Sequence, residues 1–377
     1  MKIAFVYDAI YPYRVGGVEK RVWELAKRLA GEGHAVHLFG MQFWSGSRTL
    51  QRDGVTLHGV CRAHPLYSKR TGRRRVLPPL WFGIRLVIPL LREKFDVIDC
   101  QNFPYFPCLS AKMVAAFRRS PLVITWHEIW GPYWFDYLGR AGSFGLFLEK
   151  AVASMGGVHV AVSETTRRQL EGINRGRKPA VVPNGIDPVE IRDTPASPVH
   201  ADIIYSGRFI REKHIEIIIG SVALLRDEMP ALSCILVGDG PERERIARMA
   251  VDMGVSGHVR LLPFFPRHSD LIGLMKSSRV FVLPSVREGF GIVALEALAC
   301  GLPVVTANHP ANAARDFAVM GPCYLSGVSV EDFSRSISMV LQGARPEPSG
   351  DLVSRYSWEN IYRDIYYPFI ARLAGKS

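Results

Sequence analysis

The feature that most constrains this chain is an alternation kept up along all 377 residues. Short apolar runs trade places with segments whose apolar residues recur at helical spacing, the pattern of parallel sheets joined by crossover helices. Strands are predicted at 2–7, 35–39, 55–60, 95–100, 121–125, 157–162 and 179–182, then near 202–206, 233–237, 258–262, 279–283, 303–306 and 322–325. Between the first two, Val18, Val22, Leu25, Ala26 and Leu29 fall on one face of a helix over 17–31, which should stop at Gly31 and Gly33.

The alternation is interrupted once. Around 183–200 the chain turns to Pro183-Asn184-Gly185, Pro188, Pro195 and Pro198, with no periodic apolar face. A chain of this length also exceeds what one core usually serves. The expected organisation is therefore a first doubly wound domain over 1–189 and a second over 190–357. Trp358, Ile361, Ile365, Tyr366, Phe369 and Leu373 then mark an amphipathic helix over 358–377 that returns to the first domain. Two such α/β domains facing a central cleft would bind ligands beyond the carboxyl ends of their strands, so residues with chemistry to do belong just after strands.

Charge is unevenly placed. The whole net charge of +12 arises before residue 191. Within 62–94, Arg62, Lys69, Arg70, Arg73, Arg74, Arg75, Arg85, Arg92 and Lys94 face one acid, Glu93. Next to them run Leu80-Trp81-Phe82, Ile84, Leu86-Val87-Ile88 and Leu90-Leu91. Cations beside an aromatic and apolar run suit an anionic membrane surface, touched through Lys69, Arg70, Arg73, Arg74 and Arg75. The same run also fits a core helix preceded by a basic loop. No nucleic-acid module accompanies the charge, so a nucleic-acid partner is not expected. The opening Met1–Asp8 reads as a strand and not a signal peptide, and no run of about 18 apolar residues exists. The expected location is cytoplasmic, with peripheral attachment to the inner face of the membrane. Cys61, Cys100, Cys108, Cys234, Cys300 and Cys323 form no CxxC pair and are expected to be buried thiols.

The segment richest in chemistry is Pro284-Ser285-Val286-Arg287-Glu288-Gly289-Phe290-Gly291-Ile292-Val293-Ala294-Leu295-Glu296. A strand ends at Pro284, a glycine-bearing turn follows, and Ile292, Leu295, Glu296 and Ala299 continue at helical spacing. A helix start offers free N–H groups to phosphate or sugar oxygens, and carboxylates accept hydrogen bonds from hydroxyls. Alone, Glu288 could equally cap the helix and Glu296 face solvent.

This segment resembles the two-glutamate signature of the family-four retaining glycosyltransferases of the GT-B fold, with seven residues between the acids. Other stretches agree in order: Gly16-Gly17-Val18, Val162-Ser163-Glu164, Val182-Pro183-Asn184-Gly185-Ile186-Asp187, Ser206-Gly207-Arg208 through Lys213, and Val237-Gly238-Asp239-Gly240-Pro241-Glu242. The resemblance spans nearly the whole chain. It implies that Arg208 and Lys213 clamp the donor diphosphate, that Glu288 holds the donor-sugar hydroxyls, and that Phe290 and Gly291 present backbone N–H groups. It implies further that Glu296 binds the ribose, while Gly238, Gly289 and Ile292 complete the donor site. Gly16 and Gly17 would let the backbone approach the ligand. Glu288, His127, Arg208 and Lys213 are the expected catalytic set, with Glu288 a positioning and electrostatic group in a same-face displacement.

Two departures from the family pattern stand out. Val123-Ile124-Thr125-Trp126-His127-Glu128 carries Glu where the family shows His-Asp, and Asp99-Cys100-Gln101-Asn102 lies where many relatives have His. Asn102 and His127 are assigned to the acceptor. No two aspartates lie two apart, so a DxD metal motif is absent and no metal or other cofactor is expected. The implied reaction moves a hexose from UDP-hexose or GDP-mannose to a glycan or lipid-linked hydroxyl. A nucleotide-sugar epimerase of similar fold is the alternative, and a non-catalytic sugar-nucleotide sensor a third.

Overall fold

A computed structural model describes residues 1–68, 73–174, 178–343 and 350–376. The chain divides into two compact units, Met1–Gly185 with Trp358–Ser377, and Ile186–Ser357.

The first unit is built on one sheet of eight strands: β1 (Lys2–Val6), β2 (Ala35–Gln42), β3 (Thr49–Arg52), β4 (Val55–Arg62), β5 (Val97–Gln101), β6 (Leu122–Trp126), β7 (Val158–Ala161) and β8 (Ala180–Val181). Their order is β3-β4-β2-β1-β5-β6-β7-β8. Every pair is parallel except β3 with β4. Central strands covered on both faces read as continuous apolar runs, and Ile3 to Val6 and Leu122 to Trp126 are all buried. The helix Gly17–Gly31 buries Val22, Leu25, Ala26 and Leu29. Complete burial of a valine or leucine side chain contributes about 1.5–3 kcal/mol.

The edge strand β3 is not anticipated by periodicity, because only Leu50 in it is apolar. Its signal was the dipeptide Asp53-Gly54, whose φ values of 48° and 76° make the two-residue turn that returns the chain into β4.

The second unit has six parallel strands: β9 (Ala201–Ser206), β10 (Cys234–Val237), β11 (Val259–Leu262), β12 (Ser278–Leu283), β13 (Val304–Ala307) and β14 (Cys323–Ser326), ordered β11-β10-β9-β12-β13-β14. In each sheet the chain winds outward one way and then the other. The reversal points lie between β1 and β5 and between β9 and β12, and the carboxyl ends of the strands there are where open α/β sheets bind ligands.

The last segment belongs to the first unit. Trp358–Asn360, a π-helical stretch Ile361–Tyr366 and Tyr367–Leu373 run on as one helical rod. Tyr362 donates its hydroxyl to Glu32 Oε2 at 2.7 Å, and Tyr366 to Asp99 Oδ2 at 3.0 Å. All six cysteines are buried free thiols.

Candidate active site

In the second unit the residues after β9, β10 and β12 come together at the sheet's reversal point. Past β10, Gly238 has φ 155°, and a Cβ there would lie 1.9 Å from the Gly207 carbonyl oxygen. Only glycine lets these two turns touch. Phe209 N–H donates to Asp239 O at 2.9 Å and Glu242 N–H to Phe209 O at 3.0 Å, lacing the turns together. Arg208 stands exposed at the end of this turn, its carbonyl accepting the Tyr205 hydroxyl at 3.3 Å.

A 3-10 turn, Arg211–Lys213, follows and brings in Lys213. Its ammonium lies 2.5 Å from Glu288 Oε1. Both partners are fixed from behind. Buried Ser285, at the end of β12, donates to Glu212 O at 3.3 Å, joining the strand to the lysine's turn. The Glu288 backbone is held by a bridge to Asn312, with Glu288 N–H donating to Ala311 O at 3.1 Å and Ala313 N–H to Glu288 O at 2.8 Å. Asn312 is buried and fully engaged: its amide nitrogen donates to Thr306 Oγ1 at 3.0 Å and Ala307 O at 2.8 Å, and its oxygen accepts from Ala314 N–H at 3.0 Å. Sequence reasoning missed Ser285 and Asn312. For Asn312 the signal was its place as N-cap of Ala313–Val319.

Glu288, Gly289, Phe290, Gly291 and Ile292 form the turn into the helix Ile292–Ala299. Gly291 is the N-cap, with φ 86° and no side-chain cap on the helix N–H groups. Such an end suits an anion. The Phe290 ring points inward, edge-on to Phe317 and Tyr356, so only its backbone belongs to the turn.

Glu296 does not face solvent. It is 3% exposed, and its Oε1 lies 3.0 Å from His268 Nε2. The other ring nitrogen of His268 is 3.0 Å from Glu190 Oε1. Neither His268 nor Glu190 is singled out by the sequence, where Glu190 falls in the proline-bearing stretch 183–200 and His268 lies between two predicted strands.

In the first unit, Asp99, Gln101, Asn102 and Thr125 are buried at the ends of β5 and β6. Asp99 Oδ1 accepts from Thr125 Oγ1 at 2.8 Å and Gln101 Nε2 at 3.0 Å. Burial pushes its carboxyl up, against the pull of these bonds and of Arg21. Gln101 Oε1 then takes His127 Nε2 at 2.8 Å, which assigns the imidazole N–H to Nε2. Asn102 Oδ1 accepts the His127 backbone N–H at 3.1 Å. Burial, seconded by the Arg21 guanidinium, drives the His127 imidazole down to about 3, so it is neutral near pH 7. Asn102 itself is 1% exposed, and its side-chain oxygen positions His127.

Gly16 is the extended N-cap of Gly17–Gly31, where a Cβ would lie 2.5 Å from Glu19 Oε2. Buried Arg21, one turn on, donates to Pro183 O at 2.6 Å and Asn184 Oδ1 at 3.0 Å.

The basic segment departs from the expected membrane-facing role at Arg74. Arg74 does not offer its charge to a surface: its guanidinium binds both oxygens of fully buried Asp8 at 2.6 Å, and its backbone N–H donates to Tyr137 OH at 2.6 Å. Desolvation opposes the charged guanidinium, yet Asp8 outweighs it and holds Arg74 charged. Arg73 and Arg75 are exposed, and Lys69 and Arg70 lie outside the described residues.

Two family models match the chain side by side, Glycosyltransferase Family 4 over residues 15–190 and Glycosyl transferases group 1 over residues 190–344. The phosphatidylinositol N-acetylglucosaminyltransferase gpi3 subunit of Schizosaccharomyces pombe is 24% identical over 80% of this chain, which spans 64% of that protein's length. A GDP-mannose-dependent alpha-(1-6)-phosphatidylinositol dimannoside mannosyltransferase of Mycobacterium tuberculosis is 27% identical, with 83% of this chain and 81% of that one covered. Sucrose-phosphate synthase from Thermosynechococcus elongatus superposes with a TM-score of 0.80 at 20% identity, over 99% of each chain. The carboxyl-end turns described above lie on that shared GT-B fold, and the chain belongs to the group 1, family 4 glycosyltransferases.

Proposed function

We propose that this glycosyltransferase moves a hexose from a nucleotide diphosphate sugar, UDP-hexose or GDP-mannose, to a hydroxyl of a glycan or lipid-linked acceptor, with retention of anomeric configuration. The observation that carries the reading is the Lys213–Glu288 pair at the reversal point of the second sheet, beside an uncapped helix start. Arg208 and Lys213 neutralise the diphosphate, and their bonds strengthen as the leaving group gains charge. Glu288 accepts from sugar hydroxyls and Glu296 from the ribose. Cations thus take the place that a DxD-bound metal would hold.

In the same-face displacement, the acceptor oxygen bonds to the anomeric carbon as the carbon–phosphate oxygen bond breaks. The hydroxyl proton passes to the departing phosphate. Neutral His127, held by Gln101 and Asn102, serves as a hydrogen-bonding group for sugar hydroxyls and not as a cationic acid.

A lipid-linked acceptor is favoured by the phosphatidylinositol substrates in the names of both relatives, and by the surface of the first unit. Leu77, Trp81, Ile84 and Ile88 line one exposed face of the helix Leu77–Leu91, with Leu77 73% and Ile88 66% exposed. Leu109, Met113 and Phe117 do the same on Phe106–Arg118, which packs beside it through Ser110 Oγ to Gly83 O at 2.7 Å. Segments 73–92 and 106–119 contain no acid, while Arg85 stacks on Trp81 at 5.2 Å. Apolar stripes rimmed by cations suit peripheral attachment to an anionic bilayer from the cytoplasmic side. Among the described residues no helix is long and apolar enough to cross a membrane.

The test is a donor panel followed by nucleotide release, with and without polyprenyl- or phosphatidylinositol-linked acceptors. Acceptor-dependent release and a product whose anomeric coupling matches the donor's are expected. Sugar interconversion without acceptor would instead favour the epimerase, and an inverted product would remove retention.

A further inference from the structure

We infer that His268 is a positioning residue for nucleotide binding, its imidazole held between Glu190 and Glu296 so as to orient and charge-balance the carboxylate that takes the donor ribose. The inference rests on the ribose role proposed for Glu296.

Three short elements meet at this point. Glu190 lies in the helix Pro188–Asp193, which Asp187 caps by accepting from Val189 and Glu190 N–H. His268 opens the helix His268–Lys276, and Glu296 lies within Ile292–Ala299. The first two are lashed together by backbone-directed bonds. Ser197 N–H donates to Gly273 O at 2.9 Å, Ser277 Oγ to Ser197 O at 2.6 Å, and Lys276 Nζ to Thr194 O at 2.5 Å. Gly273 has no room for a side chain, since a Cβ would sit 2.9 Å from Pro195 O. Glu190 is therefore set at a fixed distance from His268, and the ring cannot turn without breaking one of its two 3.0 Å contacts.

Carboxylate oxygens only accept hydrogen bonds, and a neutral imidazole has one N–H. The Nδ1 contact with Glu190 Oε1 is a hydrogen bond, whereas Nε2 and Glu296 Oε1 face each other at 3.0 Å as an ion pair, an arrangement that a proton shared by the three groups favours. That shared proton offsets charge around Glu296, which is 3% exposed and would be costly to bury as an isolated anion. Glu190 acts on Glu296 through the ring.

Calorimetric titration of the full chain with UDP and GDP, each beside its 2′,3′-dideoxy counterpart, tests this. For the nucleotide that binds, the unmodified protein should prefer the ribose form by about tenfold, the worth of a hydrogen bond to a charged group. His268→Asn can reach only toward Glu190 and should lose that preference. His268→Gln places an amide N–H near the Nε2 position and should keep most of it. Glu190→Gln should weaken it by a smaller factor. A His268→Asn protein that keeps the ribose preference, or that weakens ribose and dideoxy forms alike, overturns the inference. Equal binding of the two forms by the unmodified protein removes the role of Glu296 itself, a different failure. Thermal unfolding of each variant separates lost folding from lost preference.

Discussion

Lys213 and Glu288 lie 75 residues apart in sequence and 2.5 Å apart in space. Neither is placed by the other. Lys213 comes from the turn after β9 and Glu288 from the turn after β12, and the reversal of winding between those strands makes them neighbours. Glu288→Ala or Lys213→Ala should lower kcat by about 10²–10³, the usual cost of removing one pre-set electrostatic group. The double variant should fall short of the product of the two losses, because the residues share one interaction. Steady-state nucleotide release with acceptor present measures both; full activity in Glu288→Ala would contradict its assigned role.

The Asp8–Arg74 pair gives a stability prediction. Asp8→Ala leaves the Arg74 guanidinium without its counter-charge, and truncating one partner of a buried pair costs about 3–5 kcal/mol. Asp8→Leu with Arg74→Met, which removes both charges, should recover most of that loss. Urea unfolding followed by tryptophan fluorescence provides the comparison. Equal loss in the single and double variants would argue against a charge effect.

His127 gives a pH prediction. The free imidazole titrates at 6.5 and the folded one at about 3. Between these values the unfolded chain binds a proton that the native chain refuses. The native advantage is whole above about 6.5 and is withdrawn as pH falls toward 3. His127→Gln should flatten that part of the acid limb. The His127 ring resonance in NMR should stay put from pH 7.5 to 5; a midpoint near 6.5 would show that burial does not govern it.

Membrane attachment can be tested on the apolar stripe. Ile84→Glu and Ile88→Glu together put two charges where acyl chains are proposed to sit, and about 1.5–3 kcal/mol of burial is at stake for each side chain. Sedimentation with anionic vesicles should fall at least tenfold, while nucleotide binding is unchanged. Arg74→Gln should alter stability and leave vesicle binding alone, since its charge is spent on Asp8. No sedimentation of the unmodified chain with anionic vesicles at low salt would remove the membrane reading.

What the sequence determined by itself was periodicity and local chemistry. Central parallel strands are buried on both faces, so β1, β6, β9 and β12 announce themselves as apolar runs. The amphipathic face of Gly17–Gly31 is likewise legible from spacing alone. Glycines that must adopt positive φ, such as Gly291 and Gly238, stand at the turns where the motifs lie. Strand β3 escaped because an exposed edge carries no apolar run.

Tertiary structure alone decided which polar groups meet. Glu190, His268 and Glu296 come from three separate helices, and nothing in the spacing of residues 190, 268 and 296 encodes their approach. Arg74 looks like its neighbours Arg73 and Arg75 in sequence, yet it turns inward because Asp8, 66 residues earlier, ends buried at the carboxyl end of β1. Hydrophobic patterning is a property of neighbouring residues, whereas charge pairing depends on how the strands are ordered, and that order exists only once the sheets have formed.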